Sequence, residues 1–166
     1  MIHADWMHLI FNMYALYMFG VGVEGFFSNY LFQDKGKLFY MLMYISALGV
    51  CLLPTYGKHK DDSYYRSLGA SGAVSAVIFA YILVNPMANL GLIFIPGIRI
   101  PGFIFGFIYL GISSYLDKRG GGNINHSAHI WGALYGMIFV IVMAAIFSDY
   151  PVLSQFVSQV KEYLHL

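Results

Sequence analysis

An all-α bundle of membrane-spanning helices is the fold class this sequence predicts, and three observations predict it. Hydrophobic residues make up 59% of the chain and charged residues only 10%, where a soluble domain carries about a quarter charged. The nine basic and eight acidic side chains fall in a few clusters, which leave uncharged runs at 6–23, 38–57, 67–98, 100–116 and 120–148. A helix needs about 20 apolar residues, with a range of about 17–25, to cross a bilayer core. The chain therefore reads as polytopic, with about five spans, expected at 6–24, 38–56, 69–85, 101–116 and 127–147.

The first run carries Trp6 near one end and closes at Gly20-Val21-Gly22-Val23-Glu24-Gly25. No basic segment precedes it and no small-residue cleavage site follows, so it does not read as a signal peptide. Residues 26–37, with Asp34, Lys35 and Lys37, form a short polar connection. The second helix is expected to end near Pro54, before the most hydrophilic loop, 57–67. Its cysteine, Cys51, reads as a small apolar packing residue. The run 67–98 is too long for one helix. Asn85-Pro86 ends the helix that starts at Gly69, because a residue before proline is pushed out of the α region. Ile95-Pro96-Gly97-Ile98-Arg99-Ile100-Pro101 reads as an apolar connector at the membrane interface, and Gly120-Gly121-Gly122-Asn123 as a flexible loop. In the tail, Pro151 precedes Val152, Phe156, Val160 and Leu164, spaced as one face of an amphipathic helix lying on the membrane. The expected division is a membrane domain, 1–148, and an amphipathic tail, 149–166.

A net charge of +1 argues for neither nucleic acid nor another strongly charged partner. The lipid bilayer and other membrane proteins are the partners expected. Charge does not orient the chain. With the N-terminus outside, Lys35, Lys37, Arg99 and Lys161 would face inward and Lys58, Lys60, Arg66, Lys118 and Arg119 outward, with no positive-inside bias.

Two motifs carry chemistry. Gly69-Ala70-Ser71-Gly72 opens the third span and Ala128-His129-Ile130-Trp131-Gly132 opens the last. A serine at a helix start has its own amide among the unpaired donors there, beside its hydroxyl. Small residues are also common at helix contacts in membranes, so Ser71 alone is open to that reading. An ionisable residue inside a span is costly and usually faces a partner or water. Gly132 and Gly136 share the His129 face at i+3 and i+7, so the last helix can approach the Gly69/Gly72 segment closely. That approach would bring the imidazole to the Ser71 hydroxyl, within about 2.6–3.2 Å. Neither helix holds an acidic residue, so the pair reads as a Ser–His dyad. His126 is a competing base, and His129 is open to a role as a plain interhelical hydrogen-bonding group. His8 and Asn12, at i and i+4, share one face of the first helix. They suit donation to a developing oxyanion, or an interhelical clasp. A metal site from His3, His8, His126 and His129 lacks cysteine or carboxylate ligands at suitable spacing. No metal and no cofactor are expected.

The pattern His-x4-His-x3-Asn, then Gly-x-Ser-Gly, then Ala-His-x-x-Gly-x3-Gly, resembles the rhomboid family of intramembrane serine proteases over nearly the whole chain. The resemblance implies a rhomboid-like bundle and an intramembrane serine endopeptidase that cleaves transmembrane segments. By it, Ser71 is the nucleophile and His129 the general base and then acid. His8 and Asn12, with the Ser71 amide, form the oxyanion hole. Gly69, Gly72, Gly132 and Gly136 support the close packing, His3 is structural, and Glu24 holds the inner side of the bundle. The resemblance also orients the Ser71 and His129 ends toward the outer face, in a plasma or inner membrane.

Two features depart from the family pattern. Its six-helix core has a further membrane helix and a long loop with a Trp-Arg motif before the histidine helix, so the chain is expected to be N-terminally incomplete. Fraying at positions 3–8 is then expected to loosen the oxyanion hole. Some members also have a tyrosine four residues after the nucleophile, stacked on the histidine. Ser75 stands there, so another group must support the ring or leave it less restrained. On sequence grounds Ser75→Ala is expected to be nearly neutral. The alternative function is a non-catalytic rhomboid-like protein that binds membrane helices, or an inactive fragment. A transporter would show repeated hydrophobic segments in two halves, and none is apparent.

Overall fold

Helices of unequal length surround one largely buried helix in this protein. The structure is a computed structural model that describes residues 6–63, 70–91, 99–119 and 124–166. The elements are α1 (Trp6–Phe26), α2 (Gly36–Val50), α3 (Leu53–His59), α4 (Ser71–Val84), β1 (Asn89–Gly91), β2 (Arg99–Pro101), α5 (Gly102–Arg119), α6 (His126–Phe147) and α7 (Val152–Tyr163).

α4 is central. Every residue from Ser71 to Leu83 except Tyr81 is buried, as expected of a helix apolar on all sides. α6, α1, α2 and α5 pack around it. Its 14 residues span about 21 Å at 1.5 Å per residue, short of a hydrocarbon core of about 30 Å. α4 by itself is therefore too short to cross a bilayer core. Three helical segments are long and apolar enough to cross: Trp6–Leu31, Gln33–His59 and His126–Phe147. α5 has 18 residues and ends in Asp117-Lys118-Arg119. Large apolar side chains such as Tyr17, Ile45, Phe107 and Ile146 face outward, a surface suited to lipid rather than water.

The structure revises several expected boundaries. The second span stops at Val50, turns at Cys51-Leu52, and resumes as α3. Pro54 lies in the first turn of α3 rather than ending a helix, a place where its missing N–H is not needed. The connection after α1 is a π-helical turn, Phe27–Leu31, and a 3₁₀ turn, Gln33–Lys35. Phe27, Leu31 and Phe32 from this connection lie in the main core with Val23, Phe39, Met43, Val77 and Val140. Its aromatic residues outweigh its few charges. After Asn85-Pro86, β1 and β2 pair antiparallel, Leu90 opposite Ile100. The expected connector thus contains a strand at Arg99–Pro101, while Ile95–Ile98 lie outside the described residues, as does the 120–123 loop. α5 restarts beside the end of α4, where the Phe103 amide donates to the Pro86 carbonyl at 3.1 Å. α7 packs on α4 and α6. Val152 is buried in the main core, and Tyr150 and Phe156 pack against it.

Candidate active site

α4 and α6 meet through glycine. A methyl group on Gly132 would fall inside the Gly72 carbonyl, and one on Gly136 inside the Ala76 carbonyl. The obstacle is backbone, which cannot swing away as a side chain can. Gly72 is hemmed in likewise: a Cβ there would stand 2.6 Å from the Cys51 sulfur and 3.0 Å from the Ala128 carbonyl oxygen.

The start of α6 is fixed by Asn125, an N-cap. Its side-chain oxygen accepts from the Ala128 amide at 2.9 Å, satisfying a donor the helix leaves open. Its amide donates to the Thr55 hydroxyl on α3 at 3.0 Å, and both residues are buried. His129 follows in the same first turn, with its Nε2 2.7 Å from the Ser71 Oγ. A neutral imidazole with its proton on Nδ1 accepts the Ser71 proton in this geometry. His126 meets the His129 ring edge-on at 5.6 Å between centroids.

Ser71 is the first residue of α4. The first hydrogen bond of the helix runs from the Val74 amide to the Ala70 carbonyl at 3.0 Å. The Ser71, Gly72 and Ala73 amides therefore have no acceptor within the helix and lie beside the Ser71 hydroxyl. Ser71 is 8% exposed, so a molecule reaching it must enter the bundle.

A family model described as Rhomboid domain matches residues 1–146. The chain belongs to the rhomboid family. The Arabidopsis thaliana RHOMBOID-like protein 12, mitochondrial, is 30% identical over 143 residues, 82% of this chain and 42% of that protein. The Homo sapiens Presenilin-associated rhomboid-like protein, mitochondrial, is 30% identical over 139 residues, 83% of this chain and 35% of that protein. The Danio rerio Presenilin-associated rhomboid-like protein A, mitochondrial, is 26% identical over 141 residues, 83% of this chain and 34% of that protein. This rhomboid chain spans well under half the length of these curated relatives. No solved structure matches it.

The other residues singled out in this rhomboid sequence fall in three places. His8 and Asn12 project from α1, which packs on α4, and His8 is within electrostatic range of His129. Asn12 is buried and gives one amide hydrogen to the His8 carbonyl at 2.8 Å, which leaves its second for another acceptor. Glu24 is half-buried near the end of α1, within electrostatic range of Tyr40 on α2. His3 and Gly69 lie outside the described residues. Among the described residues, no three His, Cys, Asp or Glu side chains are placed to hold a metal.

Sequence reasoning missed two features of this rhomboid site. Asn125 carried a readable signal, a capping residue just before an apolar run. Tyr109 on α5 carried none. Its hydroxyl lies 2.7 Å from the Ser75 Oγ, and Ser75 donates to the Ser71 carbonyl at 2.9 Å. These two partners remove the ground for expecting Ser75→Ala to be neutral.

Proposed function

We propose that this rhomboid is an intramembrane serine endopeptidase with a Ser71–His129 dyad. The observation that carries the proposal is the 2.7 Å approach of the Ser71 Oγ to the His129 Nε2. In the proposed reaction, Ser71 Oγ attacks a peptide carbonyl of a transmembrane substrate while His129 Nε2 takes its proton. The oxyanion is held by the Ser71 amide, which has no acceptor within α4, and by Asn12 and His8. His129 returns the proton to the leaving amine, and water then hydrolyses the acyl-enzyme. A substrate helix has to unwind locally, since its backbone amides are otherwise bonded within the helix.

His3, Gly69, Gly72, Gly132, Gly136 and Glu24 act as supports rather than reacting groups in this reading. The division into a 1–148 membrane domain and a 149–166 tail is also part of the proposal. So is residence in a plasma or inner membrane. The relatives named mitochondrial favour a membrane of that organelle, and fractionation of tagged protein tests it. The proposed partners are transmembrane protein substrates within the lipid bilayer.

The deciding experiment is reaction of the purified chain with a serine-reactive phosphonate, beside cleavage of a transmembrane substrate in liposomes. Labelling of wild type and its loss in Ser71→Ala are expected. A wild-type protein that binds membrane helices yet neither labels nor cleaves would instead support the non-catalytic reading.

A further inference from the structure

We infer that Tyr109 is a positioning residue that sets the His129 imidazole against the nucleophile, with Ser75 as its anchor. This rests on the dyad reading above. Tyr109 belongs to α5, which carries neither member of the dyad, yet it touches both catalytic helices. Its ring centroid is 6.1 Å from that of His129 with 33° between the planes, inside the range in which aromatic rings attract. Phe79 on α4, at 5.5 Å, and Phe105 on α5, at 6.0 Å, hold the same ring from other sides.

The hydrogen bonds have one consistent direction. The Ser71 carbonyl can only accept, so the Ser75 hydroxyl gives its one proton there. Tyr109 must then donate to the Ser75 Oγ. The chain Tyr109 O–H to Ser75 O–H to Ser71 C=O ends on the peptide group of the nucleophile. A partly buried tyrosine inside a bundle still favours an acceptor for its hydroxyl. Here the acceptor leads to Ser71 while the ring faces the base, so one side chain references both reacting groups to each other. Such a reference matters because, among the described residues, no carboxylate is hydrogen-bonded to His129 to orient it. Its orientation depends on packing.

The test uses residues 1–166 in detergent, reading the rate of phosphonate labelling and the melting temperature of each variant. Tyr109→Phe keeps the ring and loses one hydrogen bond, so labelling is expected to slow about 2- to 10-fold. Tyr109→Leu removes the ring and frees the imidazole. A misplacement on the order of 1 Å lowers rates by roughly 10²-fold, and that drop is expected with a melting temperature close to wild type. Ser75→Ala is expected to match Tyr109→Phe, and the double variant to be no slower than either, because the two act through one chain.

The inference is overturned if Tyr109→Leu labels within 2-fold of wild type, or if its loss only tracks the unfolded fraction. It is also overturned if the Tyr109→Phe and Ser75→Ala effects multiply in the double variant, a result that does not depend on Tyr109→Leu folding. Wild type that labels while Ser71→Ala does not shows that the dyad reading stands even if Tyr109 fails. Absence of wild-type labelling overturns both.

Discussion

Ser71 contributes two groups from one residue because it is the first residue of α4: a hydroxyl aimed at His129 and an amide with no acceptor inside the helix. Placing the same serine one turn later would bond the amide and bury the hydroxyl in the helix contact. Ser71→Ala and His129→Ala are therefore expected to abolish phosphonate labelling and substrate cleavage, each checked against melting temperature. His126→Ala is expected to keep most of the activity, since His126 touches the His129 ring only edge-on and lies in no bond to Ser71. Asn12→Ala removes a buried donor whose second amide hydrogen is available to the oxyanion. A fall in turnover on the order of 10²–10³ is expected, with labelling and cleavage measured in parallel.

At the scale of elements, the dyad depends on how closely α6 lies on α4. Gly132→Ala puts a methyl group into the Gly72 carbonyl, so the helices must separate. The expected loss is about 1–3 kcal/mol of stability, together with a longer Ser71–His129 distance and slower labelling. Gly49→Ala on α2 is the control, because nothing lies within 4 Å of the added methyl group. Its melting temperature is expected to stay at or slightly above wild type, since alanine is the better helix former. Asn125→Ala removes the α6 cap and its bond to Thr55. Loss of a cap costs about 1 kcal/mol, and because His129 is in the capped turn, labelling should slow as well. Thermal melts of these variants in one detergent check all three.

For the whole molecule, the buried α4 makes every surrounding helix part of the site's support, and α7 belongs to that support. Val152 lies in the same core as Val140 and Ala144, with Tyr150 and Phe156 against it. Ending the chain at residue 148 would expose that patch. Full burial of one valine-sized side chain is worth about 1.5–3 kcal/mol, so residues 1–148 alone are expected to melt lower than 1–166. An unchanged melting temperature would mean that the tail is energetically separate from the bundle.

The sequence by itself determined the membrane class, the end of the helix that carries Ser71, and the two residues, Ser71 and His129, that the fold brings to 2.7 Å. These are encoded locally: uncharged runs mark spans, Asn85-Pro86 marks a helix end, and a glycine pair at i+3 and i+7 from His129 marks the face that must meet another backbone. Local sequence did not determine the break at Cys51-Leu52, where residues as apolar as their neighbours turn and Pro54 begins a helix instead of ending one. Nor did it place Phe27, Leu31 and Phe32 in the core, since charge nearby says nothing about where the aromatic residues point. Tyr109 is the clearest case of a role decided only in three dimensions. It lies 34 residues from Ser75 on a helix with no motif, and in a chain with 14 tyrosines nothing local distinguishes it. Its place beside His129 follows from how α5 packs on α4 and α6, which is a property of the assembled bundle and of no single segment.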